Sequence, residues 1–263
     1  MPPTLSRTPP AYLDHPGPLA FAHRGGSAHG LENSWPVFEH AVRLGYRYLE
    51  TDVQATADGV LVAFHDRTLD RVTDRTGRIA SMPHRDLTTV RIGGKEPIPL
   101  LQDLLGAWPD VRFNIDVKDE PAIGPLAAVL RRTAAWDRVC VASFSGRRLQ
   151  ATRRALGRPV CMAVSPFGLA AVRIAGNGRA AGQVLASRLA RAGVRCAQIP
   201  VQLATASFMR RAHALGLHVH VWTVNESDAM GRLLDLGADG IMTDETVALR
   251  DVLAERGQWH PRR

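Results

Sequence analysis

Two strand-like runs of the sequence each carry ionisable side chains on a single face. In GluThrAsp, Glu50 and Asp52 are two residues apart, so both point the same way from a strand. AsnIleAspValLys places Asp116 and Lys118 on a common face by the same rule. Buried carboxylates are costly unless they are paired or bind a cation. Glu50, Asp52 and Asp116 could therefore supply hard oxygen ligands to one divalent ion.

The competing interpretation is salt bridging of these carboxylates with Arg24 and Lys118. The two interpretations are not exclusive, and the carboxylates outnumber the neighbouring bases, which favours a metal site. Lys118 is unusual because Lys95 is the only other lysine among 33 basic residues. A lysine at this strand end suggests that a compact ammonium is needed there, to contact a phosphoryl oxygen or a carboxylate ligand.

His23 and His65 are the candidates for general acid and base, because imidazole titrates near neutral pH. Each stands at the end of a strand-like run, His23 beside Arg24 and His65 beside Asp66. Most of the other histidines fall in tails, loops or helices, where structural or surface roles are expected. Trp222 ends a later apolar run and is predicted to line the same mouth.

These residues are placed by an alternation of apolar runs and helical patterns that starts near residue 19. Strands are predicted near 19–24, 47–54, 112–117, 139–144, 159–164, 195–200, 217–223 and 239–243. Helices are predicted near 34–44, 100–107, 121–134, 146–156, 180–192, 205–215, 226–236 and 245–256. Eight such units predict an α/β protein with a single (β/α)8 TIM barrel. A doubly wound sheet is the rival fold, but the first strand lacks a GxGxxG turn after it.

Two stretches fall outside this alternation. From Thr56 to Glu96 the pattern is irregular, which predicts a short insertion after the second strand, at the end of the barrel where active sites lie. Residues 1–18 hold six prolines and no apolar core of a secretory signal, so an extended tail is expected before a domain at 19–257. Cytoplasmic residence is the default expectation.

Composition narrows the possible partners. Hydrophobic residues make up 45% and charged residues 22%, as in ordinary globular proteins, and no apolar run is long enough to span a membrane. The formal charge of +8 favours anionic ligands. Arginine is spread along the chain without a nucleic-acid-binding motif, so a solvated surface is favoured over nucleic-acid binding. No amphipathic segment suggests stable membrane association, and the oligomeric state is not indicated.

The three cysteines are widely spaced in apolar runs: Cys140, Cys161 and Cys196. This usage is typical of small buried hydrophobic residues in a reducing compartment. Neither a disulfide framework nor a zinc site is predicted from the spacing.

An ordered set of motifs resembles the glycerophosphodiester phosphodiesterase family. Near the start these are HisArgGly at 23–25, GluAsn at 32–33, GluThrAspVal at 50–53, HisAsp at 65–66 and ArgValThrAspArgThrGly at 71–77. Near the end they are ValTrpThrValAsn at 221–225 and GlyAlaAspGlyIleMetThrAsp at 237–244. Between 120 and 216 only the strand–helix rhythm supports the resemblance.

The resemblance implies hydrolysis of a small-molecule glycerophosphodiester to an alcohol and glycerol 3-phosphate. Residues that match His23 and His65 act there as acid and base, and the one that matches Arg24 binds phosphate. Family residues that match Glu50 and Asp52 bind Mg²⁺ or Ca²⁺. The third family ligand is usually glutamate, and the shorter Asp116 stands here, which leaves the metal preference open.

Three other functions compete with this one. A lysophospholipase D or a sphingomyelinase D would use a similar barrel on an acyl-bearing substrate, and an apolar channel beside Trp222 would favour it. A non-catalytic phosphate-ligand-binding barrel is disfavoured because both histidines and all three carboxylates are present. Nucleic-acid binding predicts affinity that falls steeply with salt, and it ranks last.

Overall fold

The computed structural model describes residues 11–27, 31–174 and 179–262. The strands are β1 (Leu19–Ala22), β2 (Tyr48–Ala55), β3 (Leu61–Ala63), β4 (Arg91–Ile92), β5 (Glu96–Pro97), β6 (Arg112–Val117), β7 (Val139–Ala142), β8 (Cys161–Ala163), β9 (Val194–Pro200), β10 (His218–Trp222) and β11 (Gly240–Thr243). The helices are α1 (Trp35–Arg43), α2 (His84–Leu87), α3 (Leu101–Ala107), α4 (Ile123–Thr133), α5 (Gly146–Leu156), α6 (Pro166–Ile174), α7 (Arg179–Arg191), α8 (Ala206–Ala214), α9 (Ser227–Asp235) and α10 (Thr246–Glu255).

Eight of these strands are parallel and close into a barrel. Their order is β1-β11-β10-β9-β8-β7-β6-β2, and β1 also pairs with β2, which joins the two ends of the sheet. Helices follow every barrel strand along the chain. The predicted (β/α)8 TIM barrel is therefore confirmed.

Side chains alternate along each barrel strand between an outer apolar layer, beneath the helices, and an inner apolar layer inside the barrel. In β7, Val139 and Val141 belong to the large core cluster between the strands and the helices. Cys140 and Ala142 belong instead to a second cluster inside the barrel. Strand residues that face outward are mostly Val, Ile and Ala, because both faces of a barrel sheet are buried.

The segment between β2 and α3 forms a small unit of its own. It contains β3, which pairs antiparallel with β2, the β4–β5 hairpin and the short helix α2. Eight buried residues form a separate core for this segment: Val62, Phe64, Leu69, Ile79, Leu87, Val90, Ile92 and Ile98. The irregular sequence pattern here arises because several short elements pack on each other, while Leu61 and Ala63 of β3 join the large core of the barrel.

Helix α6 was not predicted from the sequence. It follows β8 directly, so the connection between β8 and β9 contains two helices, α6 and α7. Pro166 and Gly168 resemble turn signals, which conceals the helix. Proline is nevertheless compatible with the first turn of a helix, where its missing N–H has no intrahelical partner to lose.

The expected extended tail at 1–18 differs from the structure where the chain is described. Residues 1–10 lie outside the described residues. Ala11–Leu13 form a short 3-10 helix, and Tyr12 is only 1% exposed. Its ring lies edge-on to Tyr48, with the centroids 5.4 Å apart, and it belongs to the cluster inside the barrel. Tyr12 and Leu13 of this segment thus join the apolar cluster inside the barrel.

The C-terminal boundary expected at residue 257 also differs, since the following residues still pack on the barrel. Trp259 stacks edge-on against Tyr46, with ring centroids 5.2 Å apart. The side chain of Arg47 donates hydrogen bonds to the carbonyl oxygens of His260 and Pro261. Across the described ranges, no helix combines the length and apolarity needed to cross a membrane.

We expect Tyr12→Ala to destabilise the fold by about 3–5 kcal/mol, the usual cost of removing a large buried aromatic side chain. Tyr12→Phe is the matched control, because the Tyr12 hydroxyl has no hydrogen-bond partner among the described residues. It should change the free energy of unfolding by less than about 1.5 kcal/mol. Urea unfolding of the three proteins measures both effects. An alanine variant as stable as the parent would show that this segment does not support the barrel.

Candidate active site

A cavity of about 510 Å³ opens at the carboxyl ends of the barrel strands. All eight residues predicted for the site line it: His23, Arg24, Glu50, Asp52, His65, Asp116, Lys118 and Trp222. They come from β2, β6 and β10 and from the segments that follow β1, β3 and β6. Barrel closure therefore brings to one cavity residues that are up to 199 positions apart in sequence.

A tight turn after β1 positions the first two of these residues. Arg24 has a left-handed backbone, with φ of +49°, and its N–H donates a 2.9 Å hydrogen bond to Glu50 Oε2. Gly25 follows with φ of +87°, and a Cβ there would lie 2.7 Å from Val37 Cγ2. A strained backbone of this kind persists only where its surroundings hold it, and such sites cluster in active sites.

His23 is oriented by a carboxylate. Its Nδ1 lies 2.8 Å from Asp244 Oδ1, and its Nε2 lies 3.9 Å from Glu50 Oε2. Burial lowers the pKa of His23, but the hydrogen bond to Asp244 and the charge of Glu50 outweigh it and raise the pKa. Although burial raises the pKa of Asp244, hydrogen bonds from His23 and Ser27 bring it down to about 2.

His65 has the same kind of partner, on the other side of the site. Its Nδ1 lies 2.5 Å from Asp66 Oδ1. A hydrogen bond from Arg71 lowers the pKa of Asp66 to about 2, so this carboxylate is ionised and can only accept hydrogen bonds. The Gln54 amide donates to the carbonyl oxygens of His65 and Asp66, which ties this part of the insertion to β2.

The three predicted metal ligands lie on adjacent strands. Asp52 and Asp116 are paired in register between β2 and β6, and the Lys118 ammonium lies 2.8 Å from Asp52 and 2.7 Å from Asp116. Arg24 also approaches Asp52, with Nε 3.5 Å from Oδ2. The ion pairs weighed in the sequence analysis are thus present.

The positive charges of Lys118 and Arg24 do not fully compensate the negative charges of the three carboxylates. Burial and the charge of Asp52 raise the pKa of Glu50 to about 7, and burial raises that of Asp116. Burial has the same effect on Asp52, but Lys118 and Arg24 outweigh it and lower its pKa. Asp116 Oδ1 is buried without a hydrogen-bond partner in the described part of the chain.

Such a donor set fits a hard divalent cation, which prefers carboxylate oxygen. The three carboxylates do not, however, bring three ligand atoms within 4.8 Å of one another in the described ranges. The Lys118 ammonium lies between two of them. An ion shared by all three therefore requires a side-chain rearrangement or a bridging water molecule.

Glu32 and Arg71 are functional candidates that the sequence analysis named only as parts of motifs. Glu32 accepts two 3.0 Å hydrogen bonds from Arg24 Nη1 and further bonds of 2.6 and 3.0 Å from Arg71. Burial raises the pKa of Glu32, but Arg71 and Arg24 lower it overall. Arg71 also pairs with Asp66, with Nε 2.6 Å from Oδ2. This network joins the turn after β1 to the insertion.

The opposite wall of the cavity is largely apolar. Phe144 is 64% exposed, and its ring lies edge-on to Trp222 at a centroid distance of 5.6 Å. Other apolar residues continue this wall: Val164, Pro166, Leu169, Ala170 and Leu203. Helix α6, which the sequence analysis missed, contributes Pro166, Leu169 and Ala170.

A model of the glycerophosphoryl diester phosphodiesterase family matches residues 23–248. This chain belongs to that family. It is accordingly a phosphoric diester hydrolase, as expected from the motifs. It is 42% identical to the "Probable glycerophosphodiester phosphodiesterase 2" of Mycobacterium tuberculosis, over 94% of this chain and 95% of that protein. It is also 26% identical to human "Lysophospholipase D GDPD1", over 88% of this chain and 85% of that protein.

Solved structures share the fold. The glycerophosphodiester phosphodiesterase from Agrobacterium tumefaciens superposes with a TM-score of 0.75 at 21% identity, covering 88% of this chain and 99% of the other. An Oleispira antarctica phosphodiesterase, solved in complex with the product sn-glycerol-3-phosphate, gives a TM-score of 0.76 at 22% identity. That comparison covers 90% of this chain and 97% of the other.

We expect Glu32→Gln to raise the KM for a glycerophosphodiester about tenfold, because hydrogen bonds to charged groups contribute about 1.5–3 kcal/mol. Loss of this carboxylate frees Arg24, while both histidines keep their carboxylate partners. kcat should therefore change less than KM. Glu39→Gln is the matched control, since Glu39 pairs with the exposed Arg43 on α1 and with no other basic side chain among the described residues. Steady-state kinetics of both variants measures KM and kcat. An unchanged KM in Glu32→Gln would contradict a positioning role for Glu32.

Proposed function

We propose that this family member hydrolyses small glycerophosphodiesters to an alcohol and glycerol 3-phosphate with two histidines and one divalent ion. His23 and His65 are the acid and base, and Glu50, Asp52 and Asp116 hold Mg²⁺ or Ca²⁺. The observation that carries the proposal is the pair of carboxylate-bound histidines, which border the same cavity as the three carboxylates.

The hydrogen bonds of the two histidines support this assignment. Asp244 and Asp66 are ionised and only accept hydrogen bonds, so each histidine Nδ1 carries a proton. In a neutral ring, Nε2 is then the basic atom, and in a protonated ring it is an acid. One histidine can remove a proton from the neighbouring glycerol hydroxyl as it attacks phosphorus, while the other donates a proton to the leaving alcohol oxygen. Water would then open the resulting cyclic phosphate to glycerol 3-phosphate, with the two histidine roles reversed.

Two of the cationic side chains that line the cavity suit a phosphodiester. Arg24 and Lys118 are both held by carboxylates, which orients their N–H groups at the same edge of the site. They would bind the phosphoryl oxygens and stabilise the charge that develops on them. A divalent ion bound by Glu50, Asp52 and Asp116 would supply further positive charge for the phosphoryl group. Trp222 would contact the alcohol portion of the substrate.

Replacing either histidine tests the acid–base roles. We expect His23→Ala and His65→Ala each to lower kcat about a hundredfold or more, the usual contribution of general acid–base catalysis. Substrate affinity should be largely retained, because Arg24 and Lys118 remain. His40→Ala, an exposed position on α1, is the control and should leave kcat unchanged. Glycerol 3-phosphate release from glycerophosphocholine is the measurement, and near-normal kcat in either cavity variant would refute its role.

Metal dependence is tested separately. We expect EDTA to abolish activity and added Mg²⁺ or Ca²⁺ to restore it. Glu50→Gln or Asp52→Asn should remove most activity with the fold intact by circular dichroism, because each deletes a charged ligand. Asp116→Glu should remain active and shift the Mg²⁺/Ca²⁺ preference, since Mg²⁺ tolerates less geometric error. Full turnover after exhaustive dialysis against chelator would eliminate the metal from the proposal.

A second candidate activity is lysophospholipase D cleavage of an acyl-bearing substrate. The apolar wall formed by Phe144, Leu169 and their neighbours favours it, because the wall could cover part of an acyl chain beside Trp222. The human relative named lysophospholipase D is consistent with this activity within the family. The phosphodiester chemistry would be the same in both cases.

Substrate comparison separates the two activities. If acyl substrates are used, Phe144→Ala should lower kcat/KM for lysophosphatidylcholine about tenfold, since burying an aromatic side chain contributes about 1.5–3 kcal/mol. The same variant should leave glycerophosphocholine hydrolysis within about threefold of the parent by the same reasoning. Val184→Ala, exposed on α7 and outside the cavity lining, is the control. Equal losses on both substrates, or no lysophosphatidylcholine hydrolysis by the parent, would exclude the second activity.

A further inference from the structure

The barrel interior contains a cluster of thiols that the proposed function does not use. Cys140, Cys161 and Cys196 lie on the adjacent strands β7, β8 and β9, face the barrel axis, and are all buried. Their Sγ atoms lie within 4.8 Å of one another, and those of Cys140 and Cys196 are 3.6 Å apart. Cys140 is the register partner of Cys161 across β7 and β8. The three cysteines are buried, as expected from the sequence. Their wide spacing along the chain gave no indication that their sulfur atoms lie together.

The sulfur separations suit a thiophilic metal ion. Zn–S bonds are about 2.3 Å long, so two thiolates on a tetrahedral zinc ion lie about 3.8 Å apart. The Cys140–Cys196 distance is close to that value, and the remaining pairs need to shorten by at most about 1 Å. Sulfur ligands also distinguish this cluster from the carboxylates of the cavity, which prefer hard cations.

A buried histidine beside the cluster supplies the independent observation. His220 is 0% exposed, and neither of its ring nitrogens has a hydrogen-bond partner among the described residues. It projects inward from β10, next to β9, and its imidazole is close enough to Cys196 to influence the ionisation of that thiol. Buried polar groups are nearly always satisfied, so an orphaned imidazole at a thiol cluster points to a missing ligand.

We propose that Cys140, Cys161, Cys196 and His220 form a Cys3His site for Zn²⁺ inside the barrel. Three cysteines and one histidine are a common structural zinc set with four protein ligands and no open position. Each thiol that binds releases its proton to solvent, so affinity increases with pH. The site is separate from the proposed catalytic ion, which is held by carboxylates.

The electrostatics of the thiols agree with this geometry. Hydrogen bonds from Cys140 and Cys161 lower the pKa of Cys196, and the nearby His220 lowers it further. Burial raises the pKa values of Cys140 and Cys161, so these two stay protonated unless a cation replaces their protons. Ala142, Ala163 and Gln198, two residues further along the same strands, line the cavity floor.

Cobalt titration tests the site, because tetrahedral thiolate–Co²⁺ complexes absorb strongly in the near ultraviolet whereas carboxylate complexes do not. The full-length reduced protein, stripped with chelator, should develop this thiolate band to one equivalent of Co²⁺, and Zn²⁺ should displace it. Asp52→Asn should keep the band, since it alters only the carboxylate site. Cys196→Ala should lose it, and His220→Ala should weaken Co²⁺ binding at least tenfold, whereas His40→Ala should not.

A measurement without variants covers the case in which Cys196→Ala fails to fold. X-ray absorption of the zinc-loaded parent should show three sulfur neighbours at about 2.3 Å and one nitrogen at about 2.0 Å. Zn²⁺ should also raise the Tm of the parent, because it binds only the folded chain. An absorption spectrum with oxygen and nitrogen neighbours alone, or no thiolate band with Co²⁺, would overturn the proposal. Binding of Cu⁺ without any Zn²⁺ or Co²⁺ thiolate signal would overturn the assignment to zinc.

Discussion

The partly buried ammonium of Lys118 lies 2.8 Å from Asp52 and 2.7 Å from Asp116, and the arrangement of the site follows from this contact. Two carboxylates directly opposite each other on neighbouring strands would repel strongly in a low-dielectric interior. A cation between them allows both to be buried. Arg24 acts similarly on the other side of Asp52, and Glu32 then holds that arginine.

Charge compensation of this kind selects which ligands the cavity can accept. The carboxylates attract a cation, while the guanidinium and ammonium attract an anion. A phosphodiester bound together with a divalent ion satisfies both requirements. A neutral ligand would satisfy neither, and it would leave Asp116 Oδ1 without a partner in the described part of the chain.

Local patterns of the sequence were sufficient for the barrel and for the position of the site. Because side chains alternate between the two faces of a strand, Glu50 and Asp52 were predicted to share one face, and both line the cavity. The end of a barrel strand marked His23, because parallel strands end at one rim. The end of a strand-like run also marked His65, although β3 runs antiparallel to β2 and is not a barrel strand. These are short-range properties that one sequence displays. The catalytic roles of these residues stay predictions.

Features that depend on closure of the barrel could not be predicted from local sequence patterns. Tyr12 reaches the interior from a proline-rich segment, and no periodicity marks it. The three cysteines meet only because β7, β8 and β9 are neighbours, and a spacing of 21 and 35 residues resembles no known metal motif. The link from Glu32 to Arg71 spans 39 positions between two loops. Such contacts require the tertiary fold.

The separate core of the insertion has a consequence for how the two histidines are held. His23 follows a barrel strand, whereas His65 belongs to a unit that packs largely on itself. Their relative position is therefore set by the junction between two packing units, through Gln54 and the Glu32–Arg71 ion pair. Substitutions at this junction can adjust the separation of the two imidazoles without touching either ring. The same barrel could in this way be adapted to bulkier or smaller leaving groups while its eight strands stay unchanged.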